Sequence, residues 1–305
     1  MVVHVGYHRT ATTWLQTVAF AAHPEIASVL GDSSFGQVAS DRFLAQVVFA
    51  RDTDFDAAAA RAHLDARVAV LGAKRSQVLV VSAERLSGNA ASGGFDAARI
   101  AERLRAAVPE ALIVVVLRHQ AEAIASEYKE IVRAGWPGGR AQTLSPIPPI
   151  KTVGFALAYW EYDRLLDVYA SAFGRANVCV LDYGRFGRDR SGVLGDLAAF
   201  LGIGPWVLTP AQLELRVNAG ERDRATRMRQ RMNHFRRTEL NPYPPVDRPD
   251  RLGAAAARLA GLVPGGRPLF GPDFDHWAEE RFAETNQRLA DEWGVVLTRT
   301  AAPPR

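Results

Sequence analysis

Between Gly6 and Gln16 the chain reads GYHRTATTWLQ, a glycine-led stretch with one arginine, Arg9, and three hydroxyls at Thr10, Thr12 and Thr13. The preceding residues form an apolar, β-rich run, and TTWLQTVAFAAH (12–23) carries apolar residues at helical spacing, so the stretch connects a strand to a helix start. Such a turn gathers backbone N–H groups and the positive end of a helix around one point, which makes a receptor for an anion. Loops that hold ATP in this way follow G-x-x-x-x-G-K-[ST], with lysine on the β- and γ-phosphates and the hydroxyl on magnesium. Counted from Gly6, the second glycine position is Ala11 and the lysine position is Thr12. The stretch suits a phosphate-like group met by amides, hydroxyls and the Arg9 cation, and nothing in it manages a γ-phosphate with its metal.

A second constellation lies downstream. Arg118 follows the apolar run ALIVVVL (111–117), and Ser126 comes eight residues later on the next helical pattern. Ligands of parallel α/β sheets bind at the carboxyl ends of strands, where a guanidinium fork and a hydroxyl receive a phosphate dianion. Glu84 follows another apolar run, QVLVVSA (77–83), and so falls at the same end of the sheet. It is the first candidate for a general base, with an exposed turn carboxylate as the ordinary alternative, and His8 is the second.

With both constellations in hand, YHRTATTWLQ resembles the 5′-phosphosulfate loop of sulfotransferases that use 3′-phosphoadenosine 5′-phosphosulfate (PAPS). That loop reads as an aromatic, a variable residue, then Lys-[ST]-Gly-[ST]-[ST]-Trp. Tyr7, Thr10, Thr12, Thr13 and Trp14 match, Arg9 takes the lysine position and Ala11 the glycine position. VVVLRHQAEAIASEY (114–128) resembles the family's 3′-phosphate site, with Arg118 and Ser126 as its arginine and serine. Weaker echoes of bacterial members occur at VVSAERLSG (80–88), FGRANVCVLDYGRF (173–186), GVLGDLAAFLGI (192–203) and NQRLADEWGV (286–295).

The resemblance implies a donor site of Arg9, Thr10, Ala11, Thr12, Thr13, Trp14, Arg118 and Ser126. It implies sulfuryl transfer from PAPS as co-substrate, with adenosine 3′,5′-bisphosphate (PAP) as product and no metal, to a hydroxyl or amine of a small-molecule or carbohydrate acceptor. Arg9 would stand in for the catalytic lysine, and Glu84 or His8 would take the acceptor proton. Arginine keeps the charge but gives up no proton near neutral pH. Two alternatives stay open: a P-loop kinase-like phosphotransferase, disfavoured by Thr12, and a catalytically weak nucleotide-binding protein, motivated by Arg9. Lys129, one turn past Ser126, is either a surrogate cation or an ordinary solvated helix lysine.

The elements that position these groups follow from periodicity. NVCVLDY (177–183) is a further buried-strand pattern, and FDAARIAERLRAAVP (95–109) and YWEYDRLLDVYASAFG (159–174) are helical. Alternating strands and helices predict an α/β fold, a P-loop-type parallel sheet flanked by helices on both faces. With 305 residues, 48% of them hydrophobic, a single domain over 1–305 is expected. GWPGGRAQTLSPIPPIK (135–151) and NPYPPVDRPD (241–250) read as irregular loops. In ERDRATRMRQRMNHFRR (221–237), Met228, Met232 and Phe235 fall on one helical face and Arg224, Arg227 and Arg231 on another; the resemblance allows one such arginine to assist the 3′-phosphate. Phe155, Tyr159, Trp160 and Tyr162 line either an acceptor pocket or the core.

Composition narrows the setting. The single cysteine, Cys179, and the lack of a leader or an apolar span of about 20 residues predict a cytoplasmic protein with no membrane partner. The formal charge of +4 rests almost wholly on arginine, Lys74, Lys129 and Lys151 being the only lysines, and no aromatic residues interleave the basic run, so no nucleic-acid partner is expected. The histidines show no ligand spacing, so no metal is expected.

Overall fold

The computed structural model describes residues 1–29, 35–90, 93–139, 144–145, 155–215, 217, 221–247, 250–263 and 268–300. Strands among them, numbered along the chain, are β1 (Val2–His4), β2 (Ile26–Ser28), β3 (Val78–Ser82), β4 (Leu112–Leu117), β5 (Leu144–Ser145), β6 (Phe155–Ala156) and β7 (Val178–Asp182). Five form one sheet in the order β2-β3-β1-β4-β7, every pair parallel. β1 is central, with Val2 opposite Val80 and Leu112, and His4 opposite Ser82 and Val114.

The apolar runs of β3 and β4 are continuous because both faces are covered. Along β4, Ile113, Val115 and Leu117 join a core with Ile100 and Leu104 of the Ala97–Ala107 helix and Leu165, Leu166 and Tyr169 of the Tyr162–Phe173 helix. Val114 and Val116, one residue out of step, face Trp14, Leu15, Val18, Val193 and Leu197 on the opposite side. The α/β architecture expected from alternation is present, with each such aliphatic side chain contributing about 1.5–3 kcal/mol on burial.

Three strand ends define the place where a ligand fits. From β1 the chain runs out to edge strand β2, returns through β3 beside β1, then crosses to β4 and β7 on the far side. Connections leaving β1 and β4 therefore diverge, which opens a crevice at their carboxyl ends. The Gly6 loop, Glu84 and Arg118 follow β1, β3 and β4 there.

Several local readings are revised. The helical stretch 12–22 contains a π-turn at Leu15–Ala19 directly after the loop, a feature common at functional sites. The stretch read as irregular at 135–151 holds β5, which pairs in parallel with β6; 140–143 and 146–151 lie outside the described residues. In the second such stretch, Asn241 bridges Thr238 and the chain turns through 247, while 248–249 lie outside the described residues. Of the two readings for the aromatic cluster, Tyr159, Trp160 and Tyr162 are found buried in the core; the Phe155 side chain lies outside the described set. In the Asp223–Asn233 helix the buried residues are Ala225, Thr226 and Asn233, whereas Met228 and Met232 are half-buried and Phe235 is exposed beyond the helix end. No helix among the described residues is long and apolar enough to cross a membrane.

Candidate active site

The Gly6 loop begins as an extension of the sheet. Val5 N–H donates to the Val114 carbonyl at 2.9 Å and Tyr7 N–H to that of Val116 at 3.4 Å. Tyr7 then anchors it, its ring buried 5.0 and 4.6 Å from those of Tyr159 and Tyr162 and its hydroxyl donating to the Tyr159 carbonyl at 3.2 Å. Gly6 has φ +52°, and a Cβ there would lie 3.0 Å from Thr12 Oγ1, so both backbone and space call for glycine. Arg9 (φ +69°) and Ala11 (φ +62°) are also left-handed. Each costs about 1–2 kcal/mol for a residue with a Cβ. Left-handed residues on either side of Thr10 are the kind of backbone from which anion nests are built.

The loop side chains divide into braces and open groups. Thr10 is buried and its hydroxyl donates to the Tyr7 carbonyl at 2.6 Å, holding the turn closed. Trp14 packs edge-on against Phe186 at 5.1 Å, donates its indole N–H to the Gln212 carbonyl at 3.2 Å and lies under Arg190, so it wedges the helix start against the body. Thr13 is the first-turn neighbour whose carbonyl accepts from Thr17. Thr12 Oγ1 is buried and makes no hydrogen bond of good geometry among the described residues, although it lies close enough to the Glu84 carboxylate to help lower its pKa. Beneath the loop, His4 bonds Ser82 Oγ at 2.7 Å while Gln16 donates to the Ser82 hydroxyl and carbonyl; burial lowers the His4 pKa to about 4, so this support is neutral.

Arg9 joins the two constellations. Its Nε donates to Ser126 Oγ at 3.1 Å and its fork lies 3.4 Å from Glu130, while Arg118 donates to the Arg9 carbonyl at 3.2 Å. Arg118 is held further by Glu122 at 3.1 Å and by the Tyr183 ring, 4.7 Å below the guanidinium. Its own carbonyl accepts from Tyr162 at 2.8 Å. Lys129 is instead spent on a helix-to-helix clamp, 2.6 Å from Asp223 and 3.1 Å from the Glu221 carbonyl. It is therefore an ion-paired residue and not a freely solvated lysine.

The two candidate bases face each other, His8 Nδ1 lying 3.5 Å from Glu84 Oε2. Burial opposes charge on both, but their hydrogen bond and mutual attraction overcome it: the Glu84 pKa is lowered, and that of His8 is raised with help from Glu127. Each shift favours the charged form of its group. Glu127, only 8% exposed, has its pKa raised, chiefly by burial, against the pull of His8 and Arg9.

Glu127 escaped the motif search, although the sequence carries its signal. It falls on the apolar stripe of the Gln120–Arg133 helix, between buried Ile124 and Ile131 and beside Ser126, where a carboxylate has no packing reason to be. Glu122 and Tyr183, which flank Arg118, leave no comparable mark.

A family model described as the sulfotransferase family matches residues 2–207. The chain belongs to the sulfotransferase family. Its matched stretch contains the Gly6 loop, Glu84, Arg118 and Ser126. Among solved structures, a sulfotransferase from Alicyclobacillus acidocaldarius is similar at 16% identity and TM-score 0.52, covering 97% of this chain and 96% of that one, which shows a shared fold. A sulfotransferase domain from the curacin biosynthetic pathway aligns at 12% identity and TM-score 0.46, over 97% of this chain and 98% of its own. The sulfotransferase domain of the Synechococcus PCC 7002 olefin synthase aligns at 14% identity and TM-score 0.40, over 92% and 94%. No curated protein sequence matches this sulfotransferase.

Proposed function

We propose that this sulfotransferase transfers a sulfuryl group from PAPS to a hydroxyl or amine of a small-molecule or carbohydrate acceptor. The supporting observation is the junction between Arg118, the Arg9 backbone and Ser126, which sets two anion receptors side by side as a nucleotide phosphorylated at both ends requires. The left-handed loop with its buried Thr12 hydroxyl fits the phosphosulfate, and Arg118 with Ser126 fits the 3′-phosphate. The donor, when bound, supplies the sulfuryl group and a phosphate leaving group.

In this reading the loop amides and Arg9 face the charge that grows on the leaving phosphate, a stabilisation that is strongest when the groups are fixed beforehand. Left-handed backbone at Arg9 and Ala11 is consistent with such fixing. Glu84 takes the acceptor proton as the acceptor oxygen bonds sulfur and the bond from sulfur to the phosphate oxygen breaks. His8 holds its own proton toward Glu84 and so orients the carboxylate. Arg118 and Ser126 bind remote charge, which positions the reacting end.

A thermal-shift titration tests the assignment. PAP at about 100 times its dissociation constant stabilises by roughly 2.7 kcal/mol and raises Tm by several degrees, whereas ATP with magnesium shifts it less. A larger shift with ATP, or none with either, overturns the proposal.

A further inference from the structure

Residues 296–300 lie beyond the family-matched stretch, and the proposed transfer chemistry uses none of them. Their polar contacts nevertheless end on the groups that flank Arg118. Thr300 donates to Glu122 Oε1 through its backbone N–H at 2.9 Å and its hydroxyl at 2.8 Å, while the other oxygen of the same carboxylate accepts from Arg118 Nε at 3.1 Å. Two residues earlier, Thr298 N–H lies 3.3 Å from both oxygens of Asp182, and its hydroxyl donates to Asp182 Oδ2.

Asp182 is not incidental to the site. It ends β7 and caps the following helix by accepting from Gly184 N–H at 3.0 Å and Arg185 N–H at 2.9 Å, which fixes the turn at Tyr183, the residue between Asp182 and Gly184 whose ring supports the Arg118 guanidinium. Gly184 makes room for the crossing segment, since a Cβ there would collide with the Thr298 carbonyl. From outside, Arg188 donates to the Arg299 carbonyl at 2.7 Å and to Thr298 Oγ1 at 2.6 Å, and Arg299 pairs with Asp275 and Glu279 at 2.8 Å each. The segment is thus tied at both edges.

We propose that 296–300 is a strap that positions the donor site: through Thr300 and Glu122 on one side, and Thr298, Asp182 and Tyr183 on the other, it fixes the Arg118 fork for the 3′-phosphate. This rests on the assignment of Arg118 to that phosphate. Arginine has many rotamers, and holding it before binding removes an ordering cost that the ligand otherwise meets. Thr300 also keeps the Glu122 carboxylate turned toward the strap, where it pairs with Arg118 without swinging toward an incoming anion. Thr298, Thr300 and Glu122 are positioning residues; they need not touch the nucleotide.

The strap makes a prediction about selectivity that a merely structural tail does not. Calorimetric titration compares PAP with adenosine 5′-monophosphate, which lacks the 3′-phosphate, on the unaltered 305-residue chain, on Thr300→Val and on the double variant Thr298→Val/Thr300→Val. The expected result is a preference for PAP that falls about threefold in the single variant and about tenfold in the double one, with monophosphate affinity within twofold throughout; Thr300→Ser restores it. Equal loss for both nucleotides, or an unchanged preference in folded variants, overturns the strap while leaving Arg118 as the phosphate receptor. No preference in the unaltered protein overturns the Arg118 assignment and the strap with it. Thr300→Val keeps the backbone donor to Glu122, so it preserves a folded comparison if the double variant unfolds.

Discussion

The Gly6–Trp14 loop and the Asp223–Asn233 helix both set arginine near the Gln120–Arg133 helix, and they use it in opposite ways. The loop has one arginine, a backbone held left-handed at three positions and a buried hydroxyl at Thr12 set beside the Glu84 carboxylate. The helix is far richer in arginine, but Arg229 is bound to Glu221 at 2.9 Å, Asp223 is bound to Lys129, and Arg224 and Arg231 point into solvent. Anion recognition is favoured where donors are fixed before the ligand arrives, and exposed cations gain little from water. Charge density along the sequence is therefore a poorer guide to the site than backbone conformation.

The largest expected effect tests whether the fixed site is also catalytic. Glu84→Gln keeps the shape of the carboxylate but cannot accept the acceptor proton, so turnover falls by about 10²-fold or more, in the range of a lost general base. PAP binding stays within about threefold, since Glu84 is assigned to the acceptor side. The pH profile separates the two members of the pair. The lowered Glu84 pKa places the acid limb of the rate below the ordinary carboxylate value of 4.5, so a base at Glu84 leaves the rate flat through neutrality. A base at His8 works only when deprotonated, and its raised pKa would place that limb above 6.5. A limb above 6.5 that moves down in Glu84→Gln would transfer the role to His8.

Next in size is Arg118, the proposed receptor of the 3′-phosphate. Arg118→Ala removes a charged hydrogen-bonding fork worth about 1.5–3 kcal/mol, hence about 10- to 100-fold in PAP affinity. Adenosine 5′-monophosphate should lose far less. Equal loss for both would mean that Arg118 only braces the Arg9 carbonyl, and the loop alone would then carry recognition.

How much of this was readable in advance differs between the same two regions. The strands at β3, β4 and β7 stood out because burial on both faces demands unbroken aliphatic runs, and a strand followed by Gly6 or Arg118 marks a crevice by topology. Ile26–Ser28 escaped because IAS has one β-branched aliphatic and no β-rich run like the VVH of β1, and β5 with β6 because each is only two residues long, the first within proline- and glycine-rich sequence. The pairing of His8 with Glu84, and of Arg9 with Ser126, spans 76 and 117 residues and depends on how the loop turns after β1. Lys129 was readable as a cation, but its ion pair with Asp223 is tertiary and leaves no periodic trace.

A smaller effect probes the loop backbone itself. Ala11→Gly places the residue that tolerates φ +62° where alanine now sits, relieving about 1–2 kcal/mol of left-handed cost against about 0.4–1 kcal/mol of added freedom in the unfolded chain. A net gain between about zero and 1.6 kcal/mol is expected, seen as a Tm rise of a few degrees at most. A drop in Tm would mean that the alanine methyl, which packs against the core beside Trp14, outweighs the strain.

The smallest effect is expected at the helix that looks most basic. Arg224 and Arg231 are exposed, so Arg224→Gln/Arg231→Gln removes two formal charges with little loss of packing. At 0.15 M salt, screening over about 8 Å leaves such charges only a weak long-range pull on a nucleotide held by the loop. PAP affinity should change by less than about twofold, and by less still as salt is raised. A tenfold loss that persists at high salt would place one of these arginines in direct contact with phosphate. The helix would then belong to the donor site, and the contrast between fixed backbone donors and solvated cations would fail where it was drawn most sharply.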